Sequence, residues 1–492
     1  MRIRCLMLSC VSIAALFAAP QGQAAPDTIG LHLHPCIQGS AKVPALCGTF
    51  GVYENRTAHR GRVIDLNLVV VKAQHRAGGV IAEIGGGPGE GAASFAPWVL
   101  DGDFGKARQS LHADYDYLFV DNRGMGSSSP LTCDLTPADR PQTYFRDLFP
   151  PKLVEQCRSR DAATHDLALY NTNNAVDDLD DVRAALGYGK IILDGGSYGT
   201  FFSLVYMRRH PQHVQAAMLT AVTAPGFQTA LGSPEGAQTG IDDLFAKCRR
   251  DNVCNSHFPH FSQHFTAVLN RFDAGPIAVP LAQVRKHDAI SLELSKAVLV
   301  DQIRHMLYDP AAEAYLPYIV ERAYNRDYAP LSEMVQTVVQ GVEGDMPMGA
   351  FLSYSCEDLM PFITPAQLAF AREHTFAGDL RIRAQQQACA SWNVPAMPAS
   401  FNEPVRSSAP VLMILGSDDP ATPPQYGEEA LKYLPNGRAV LVNGAGHGAD
   451  NACTDALRVQ FLRTLSAKGL DVSRCAATFQ QPPFALSMKG WP

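Results

Sequence analysis

The sequence has no low-complexity tract, no block of like charges and no internal repeat. Those absences exclude a disordered or repeat-built chain. Beyond the N-terminal segment, no stretch is long and apolar enough to be a transmembrane helix. No pair of cysteines has the C-x-x-C spacing of a zinc or redox site. A basic excess is also missing: the formal net charge is −7, which argues against nucleic acid or another polyanion as a partner. What remains is the composition of a soluble globular protein, 46% hydrophobic and 18% charged, in 492 residues. That length suits one large domain carrying an insertion as well as it suits two units. The 39 glycines and 34 prolines favour many turns and long connections over a helical bundle.

Residues 1–24 read as a signal peptide. Arg2 and Arg4 precede the apolar run Leu6–Phe17, and Gly22-Gln23-Ala24 before Ala25 offers a cleavage site. Met7-Leu8-Ser9 before Cys10 make a poor lipobox. Cleavage would remove two arginines and no acid, leaving a more acidic chain bound for the periplasm or the medium. Of the 12 cysteines, Cys5 and Cys10 would leave with the signal. The others fall into neighbouring couples in an oxidising compartment: Cys36/Cys47, Cys133/Cys157, Cys248/Cys254, Cys356/Cys389 and Cys453/Cys475. Sequential pairing is the economical expectation, although spacing alone does not prove connectivity.

Strand patterns appear at Val63–Val71, Val80–Ile84, Tyr115–Val120, Lys190–Leu193 and Val214–Thr220. A helical pattern covers Ala175–Leu186 and closes at Gly187. Short strands alternating with helices indicate βαβ units and a mostly parallel sheet. That rhythm stops near Pro225. From there to about Val405 the pattern is largely helical, as in Leu299–Leu307, Ala311–Tyr324 and Pro365–His374. Strands resume at Val411–Leu415 and Ala439–Val442. The expected organisation is therefore an α/β core over residues 25–225 and 406–492, interrupted by a helical cap insertion over 226–405. Such an insertion would lie over the strand ends, where α/β sheets bind ligands.

Gly195-Gly196-Ser197-Tyr198-Gly199 fits G-x-S-x-G, with a strand before it and a helix after it. Glycines on both flanks permit the sharp turn that lifts a serine hydroxyl from the sheet. A serine nucleophile needs a base and an orienting acid, which in this fold follow in the order Ser, acid, His. Asp419 and His447 lie in the loops after Val411–Leu415 and Ala439–Val442. Asp418 is the rival acid, but its spacing to the Pro-Ala-Thr-Pro turn is less favourable. His447 would take and return the serine proton while Asp419 holds the imidazole. Backbone N–H groups of Tyr198 and of Gly86 or Gly87 would stabilise the oxyanion. A phosphate cradle at Gly85–Gly91 is disfavoured, because neither a P-loop ending nor a dinucleotide motif is present. No motif calls for a metal or an organic cofactor.

Taken together, Gly86-Gly87-Pro88-Gly89, Asp121-Asn122-Arg123-Gly124-Met125-Gly126-Ser127-Ser128, Gly195-Gly196-Ser197-Tyr198-Gly199-Thr200 and the Asp419 and His447 loops resemble one family. It is the prolyl aminopeptidase and tripeptidyl aminopeptidase family of α/β-hydrolases. The secreted tripeptidyl branch is the nearer likeness, since Gly85 stands where prolyl aminopeptidases usually have His. The resemblance implies a serine exopeptidase acting near the free N-terminus of a peptide, with a helical cap restricting access. An exopeptidase must recognise an α-ammonium group, and a buried carboxylate is a physical means of doing so. Glu357 and Asp358 are the expected carboxylates, in a loop that a Cys356–Cys389 bridge could pin. An esterase or other acyl hydrolase on the same triad is the alternative, because fold does not set substrate. A non-catalytic binding protein is the remote one, since all three triad residue types are present.

Overall fold

The computed structural model describes residues 29–75, 78–102, 106–226, 234–282, 289–343 and 346–491; the expected signal peptide, with Cys5 and Cys10, lies outside the described residues. Nine strands form one mixed sheet: β1 (Gly30–Gln38), β2 (Val43–Tyr53), β3 (Val63–Val71), β4 (Val80–Ile84), β5 (Asp116–Val120), β6 (Ile191–Gly196), β7 (Val214–Thr220), β10 (Val411–Gly416) and β11 (Gly437–Val442). Their spatial order is β1-β2-β3-β5-β4-β6-β7-β10-β11. The first three pairings, β1 with β2, β2 with β3 and β3 with β5, are antiparallel, and every pairing from β5 to β11 is parallel. Burial follows this division. Central strands covered by helices on both faces, such as β4 (VIAEI) and β10 (VLMILG), are buried at every position.

β1 and β2 carry no strong strand signal in the sequence. Pro35 and Pro44 interrupt them, and β1 has no fully buried residue because it is the edge of the sheet. Their hairpin is stapled by Cys36–Cys47. The other bridges are Cys133–Cys157, Cys248–Cys254, Cys356–Cys389 and Cys453–Cys475, so all five couples pair sequentially.

Between β7 and β10 the described residues add no strand to this sheet. They form helices, among them Pro234–Arg250, Lys296–Met306, Met348–Asp358 and Leu380–Trp392, plus a separate hairpin of β8 (Ile277–Ala282) and β9 (Ala289–Leu294). The single helix expected over Ala311–Tyr324 is two, Pro310–Glu313 and Leu316–Tyr324, because Pro317 opens the second. Apolar side chains on one face of the sheet merge with those of the insertion into a single core, and a second core fills the other face. The C-terminal segment returns to the insertion: Ala485 N–H donates to Ala314 O at 3.0 Å and the Trp491 ring packs on Tyr315 at 5.0 Å. Among the described residues no helix is long and apolar enough to cross a membrane.

Peptide mapping without reduction is expected to recover these five crosslinks. Losing Cys356–Cys389 alone (both to Ser) should cost about 2–4 kcal/mol, measured as a lower Tm.

Candidate active site

The β6 strand ends where the chain must turn sharply into the helix Tyr198–Arg209, and Ser197 occupies that turn with φ 54° and ψ −124°. A non-glycine residue in this region costs about 1–3 kcal/mol, so the surroundings must enforce it. Close packing does so. A Cβ on Gly195 would lie 2.5 Å from Gly199 O, and one on Gly199 would lie 2.7 Å from Ile84 O. The Ser197 N–H donates to Thr220 O at 3.0 Å, and the Thr200 hydroxyl bridges Ser197 O and the Thr223 backbone. Tyr198 is fixed from the insertion. The Thr172 hydroxyl donates to Asp358 Oδ2 at 2.6 Å, so the Tyr198 phenol 2.7 Å away donates to Thr172.

Asp419 and His447 meet across the ends of β10 and β11. His447 Nδ1 lies 3.0 Å from Asp419 Oδ2 and 3.1 Å from Oδ1. The carboxylate is buried, and it accepts from the N–H groups of Ala421 and Thr422 and from the Thr422 hydroxyl. Burial alone would push the Asp419 pKa up; His447 and these donors outweigh it and hold it below the ordinary value. Burial alone would also lower the pKa of His447, but the charge and hydrogen bond of Asp419 prevail and raise it. The rival Asp418 is turned away, 2.8 Å from Lys247 Nζ in the insertion. A further support comes from Tyr308, whose carbonyl accepts the His447 N–H at 2.8 Å and whose ring lies 5.0 Å from the imidazole.

Ser197, His447, Tyr198, Gly86 and Gly87 all line one cavity of about 500 Å³. In the loop after β4, the Gly86 N–H donates to Glu90 Oε2 at 3.0 Å, so its donor is already engaged by a carboxylate. Other acids reach the cavity from the sheet side: Glu83, Asp194 and Asp450. Arg108 lies 2.8 Å from both Glu83 and Asp194, and burial still raises the Glu83 pKa. From the insertion come Arg304, His305, Tyr308, Met346, Met348, Phe351, Leu359 and Arg381.

Glu357 and Asp358 do not line this cavity. They end the wholly buried helix Met348–Asp358 and turn toward the start of the helix Thr172–Ala185: Glu357 Oε2 accepts from Asn171 Nδ2 at 3.0 Å, and Asp358 Oδ2 from Thr172. Their other oxygens, Glu357 Oε1 and Asp358 Oδ1, are buried with no hydrogen-bond partner among the described residues. Burial and mutual repulsion push the Glu357 carboxyl up to about 9, and burial pushes Asp358 up to about 7. Asp121 and Arg123 serve the frame of the site. Asp121 accepts from the N–H groups of Ala93 and Ser127, and the fully buried Arg123 grips Asp178 through two N–H groups.

A family model of the alpha/beta hydrolase fold matches residues 84–449. The chain is an α/β-hydrolase. Serine protease Hip1 of Mycobacterium tuberculosis is 29% identical over 240 residues, which are 45% of this chain and 45% of Hip1. The match thus spans under half the length of that relative. Carboxylesterase B of the same species is 26% identical over 457 residues, 84% of this chain and 83% of the relative. Tripeptidyl aminopeptidase of Streptomyces lividans is 31% identical over 123 residues, 23% and 22% of the two chains. Peptidases and a carboxylesterase are therefore both relatives of this hydrolase.

Several residues that shape the hydrolase's cavity escaped the sequence reading. Thr422 was visible in the Pro-Ala-Thr-Pro turn, as the first hydroxyl after Asp419 able to reach its carboxylate. Glu90 sits at the end of the glycine loop, where a carboxylate can fold back on a backbone N–H. Tyr308, Arg304 and Arg381 had no such signal, since nothing in a helical insertion announces which face covers the sheet.

With His447 as a base, kcat/KM would fall about tenfold per pH unit below its pKa, with an apparent midpoint above the ordinary histidine value, in a pH–rate profile. Glu357 gives a separate expectation. Its folded pKa lies above the unfolded one, so the folded state holds the extra proton and stability falls as pH rises between the two values. Glu357→Gln should therefore gain roughly 1–3 kcal/mol relative to wild type at pH 8, and much less near pH 4, by denaturant titration.

Proposed function

We propose that this protein is an exported serine exopeptidase that releases one or a few residues from peptide N-termini. Ser197 is the nucleophile, His447 the general base and acid, and Asp419 the group that holds the imidazole tautomer. The observation that carries this reading is a serine at positive φ sharing one cavity with an imidazole already bonded to a buried carboxylate. Attack of Ser197 Oγ on the carbonyl carbon forms the acyl-enzyme as His447 passes the serine proton to the leaving amine. Water then regenerates the serine by the reverse relay.

The oxyanion donors in this scheme are the Tyr198 N–H, at the start of a helix, and the Gly87 N–H. Glu90 engages Gly86, which favours Gly87 of the two loop donors. Residues 226–405 act as a cap, consistent with the insertion side chains that line the cavity. Of the sheet-side acids, Glu83 and Asp194 are paired with Arg108 and Asp450 with Arg458, so Glu90, beside the Gly86 N–H, is the lining carboxylate best placed to meet an α-ammonium group. Export accords with five disulfides, which persist in oxidising compartments. The second reading, an ester hydrolase on the same triad, is favoured by the length of the carboxylesterase B match.

A fluorophosphonate probe should label the wild type and leave Ser197→Ala unlabelled. Ser197→Ala and His447→Ala should each lose at least about a thousandfold in kcat. Peptide anilides with free and acylated N-termini, assayed beside simple esters, separate the two readings. Preference for the free amine supports the exopeptidase; turnover of esters with no peptide cleavage would replace it with the esterase.

A further inference from the structure

Two guanidinium groups share one carboxylate in the insertion side of the cavity. Arg304 belongs to the helix Lys296–Met306 and Arg381 to the helix Leu380–Trp392. Both reach Asp301, which is essentially inaccessible to solvent: Arg304 Nε lies 3.0 Å from Oδ1 and Arg381 Nη1 lies 2.7 Å from Oδ2. One carboxylate offsets one of the two charges. His305 adds no third cation, because burial and the neighbouring Arg304 hold its ring neutral. The cluster therefore keeps one positive charge in excess, at a place where charge is costly to leave unpaired.

Its donors are also incompletely used. Arg304 donates to Asp301, to the Tyr308 phenol and to His305 Nε2, which leaves two of its five N–H groups over. Arg381 Nε is buried with no protein partner, and its guanidinium rests on the Phe149 ring at 5.1 Å. Both arginines line the cavity that holds Ser197 and His447.

The cluster also has a defined relation to the chemistry. Arg304 lies over the Tyr308 ring at 5.2 Å, and that ring lies against His447 at 5.0 Å. In an acyl-transfer scheme the imidazole hands its proton to the leaving group, so its side of the cavity receives the leaving portion. The acids lining the cavity come instead from the sheet and its loops, apart from the insertion arginines.

Resting on the proposed roles of Ser197 and His447, we propose that Arg304 and Arg381 form a carboxylate-binding subsite for the leaving portion of the substrate. The preferred substrates are then short peptides in which the residues beyond the cleaved bond carry a carboxylate. Two sources offer that group: the C-terminus of a short peptide, or an acidic side chain just after the cleaved bond.

The test compares kcat/KM for three matched peptides: a short peptide acid, its C-terminal amide, and an amide with Glu in place of Gln after the cleaved bond. At least about a tenfold preference for a carboxylate is expected, carried mainly by KM, as for one charge-assisted hydrogen bond. Preference for the acid over the amide identifies the C-terminus; preference for Glu over Gln identifies the side chain. Equal turnover of all three overturns the subsite. Arg381→Gln should erase the preference while the Arg304–Asp301 pair remains, and a preference retained in that variant also overturns it. Should that variant fail to fold, the salt dependence of the wild-type preference decides, since an ionic subsite weakens with salt and a steric one does not. If no peptide is cleaved while Ser197 still reacts with the fluorophosphonate, the peptidase reading fails by itself. Esters of 4-hydroxybenzoate and of its methyl ester then make the same comparison, with equal turnover again fatal to the subsite.

Discussion

The left-handed backbone at Ser197 is the constraint around which the site is arranged. Two glycines flank it because neighbouring backbone occupies the space a side chain would need, and Thr220 and Thr200 tie the turn to β7 and to its own helix. Such a conformation persists only where surrounding structure over-determines it. The neighbouring Ala221 also has positive φ, 54°, and lines the same cavity, so two adjacent strand ends carry strain at one cavity. The buried parallel strands supply the rigidity that holds both.

The insertion is chemically part of this arrangement. Through Asp358 and Thr172 it fixes the phenol of Tyr198, and through Lys247 it occupies Asp418, leaving the adjacent Asp419 to His447. Two consecutive aspartates at one strand end thus receive opposite assignments from their surroundings. Glu357 and Asp358 illustrate the same influence from inside the insertion, where burial without a cation holds both toward their neutral forms.

Much of the core could be read from the chain. β3, β4 and β7 have the boundaries that their sequence pattern suggests, because closely recurring Val, Ile, Leu, Met and Ala in each leave few alternatives. The Ser197, Asp419 and His447 loops were legible for the same reason, each following a strong strand. β1 and β2 were not, since edge strands with prolines and exposed side chains carry little hydrophobic pattern. The surroundings of Glu357 and Asp358 were not legible for a different cause. A pair of acids in sequence says nothing about which neighbour a helix end will face, and here it faces Asn171 and Thr172. The arginines of the insertion were invisible likewise, being ordinary helix residues until tertiary packing brings them to one aspartate.

The contact between Tyr308 and the His447 loop has a mechanical meaning. The Tyr308 carbonyl takes the backbone N–H of His447, and it lies so near Gly446 that a Cβ there would come within 2.4 Å. A hinge that swung this helix end outward would drag the imidazole with it and strip a hydrogen bond from its own main chain. Passage into the cavity is better served by breathing of lining side chains such as Met346, which packs on Gly89, than by a wholesale lifting of the roof.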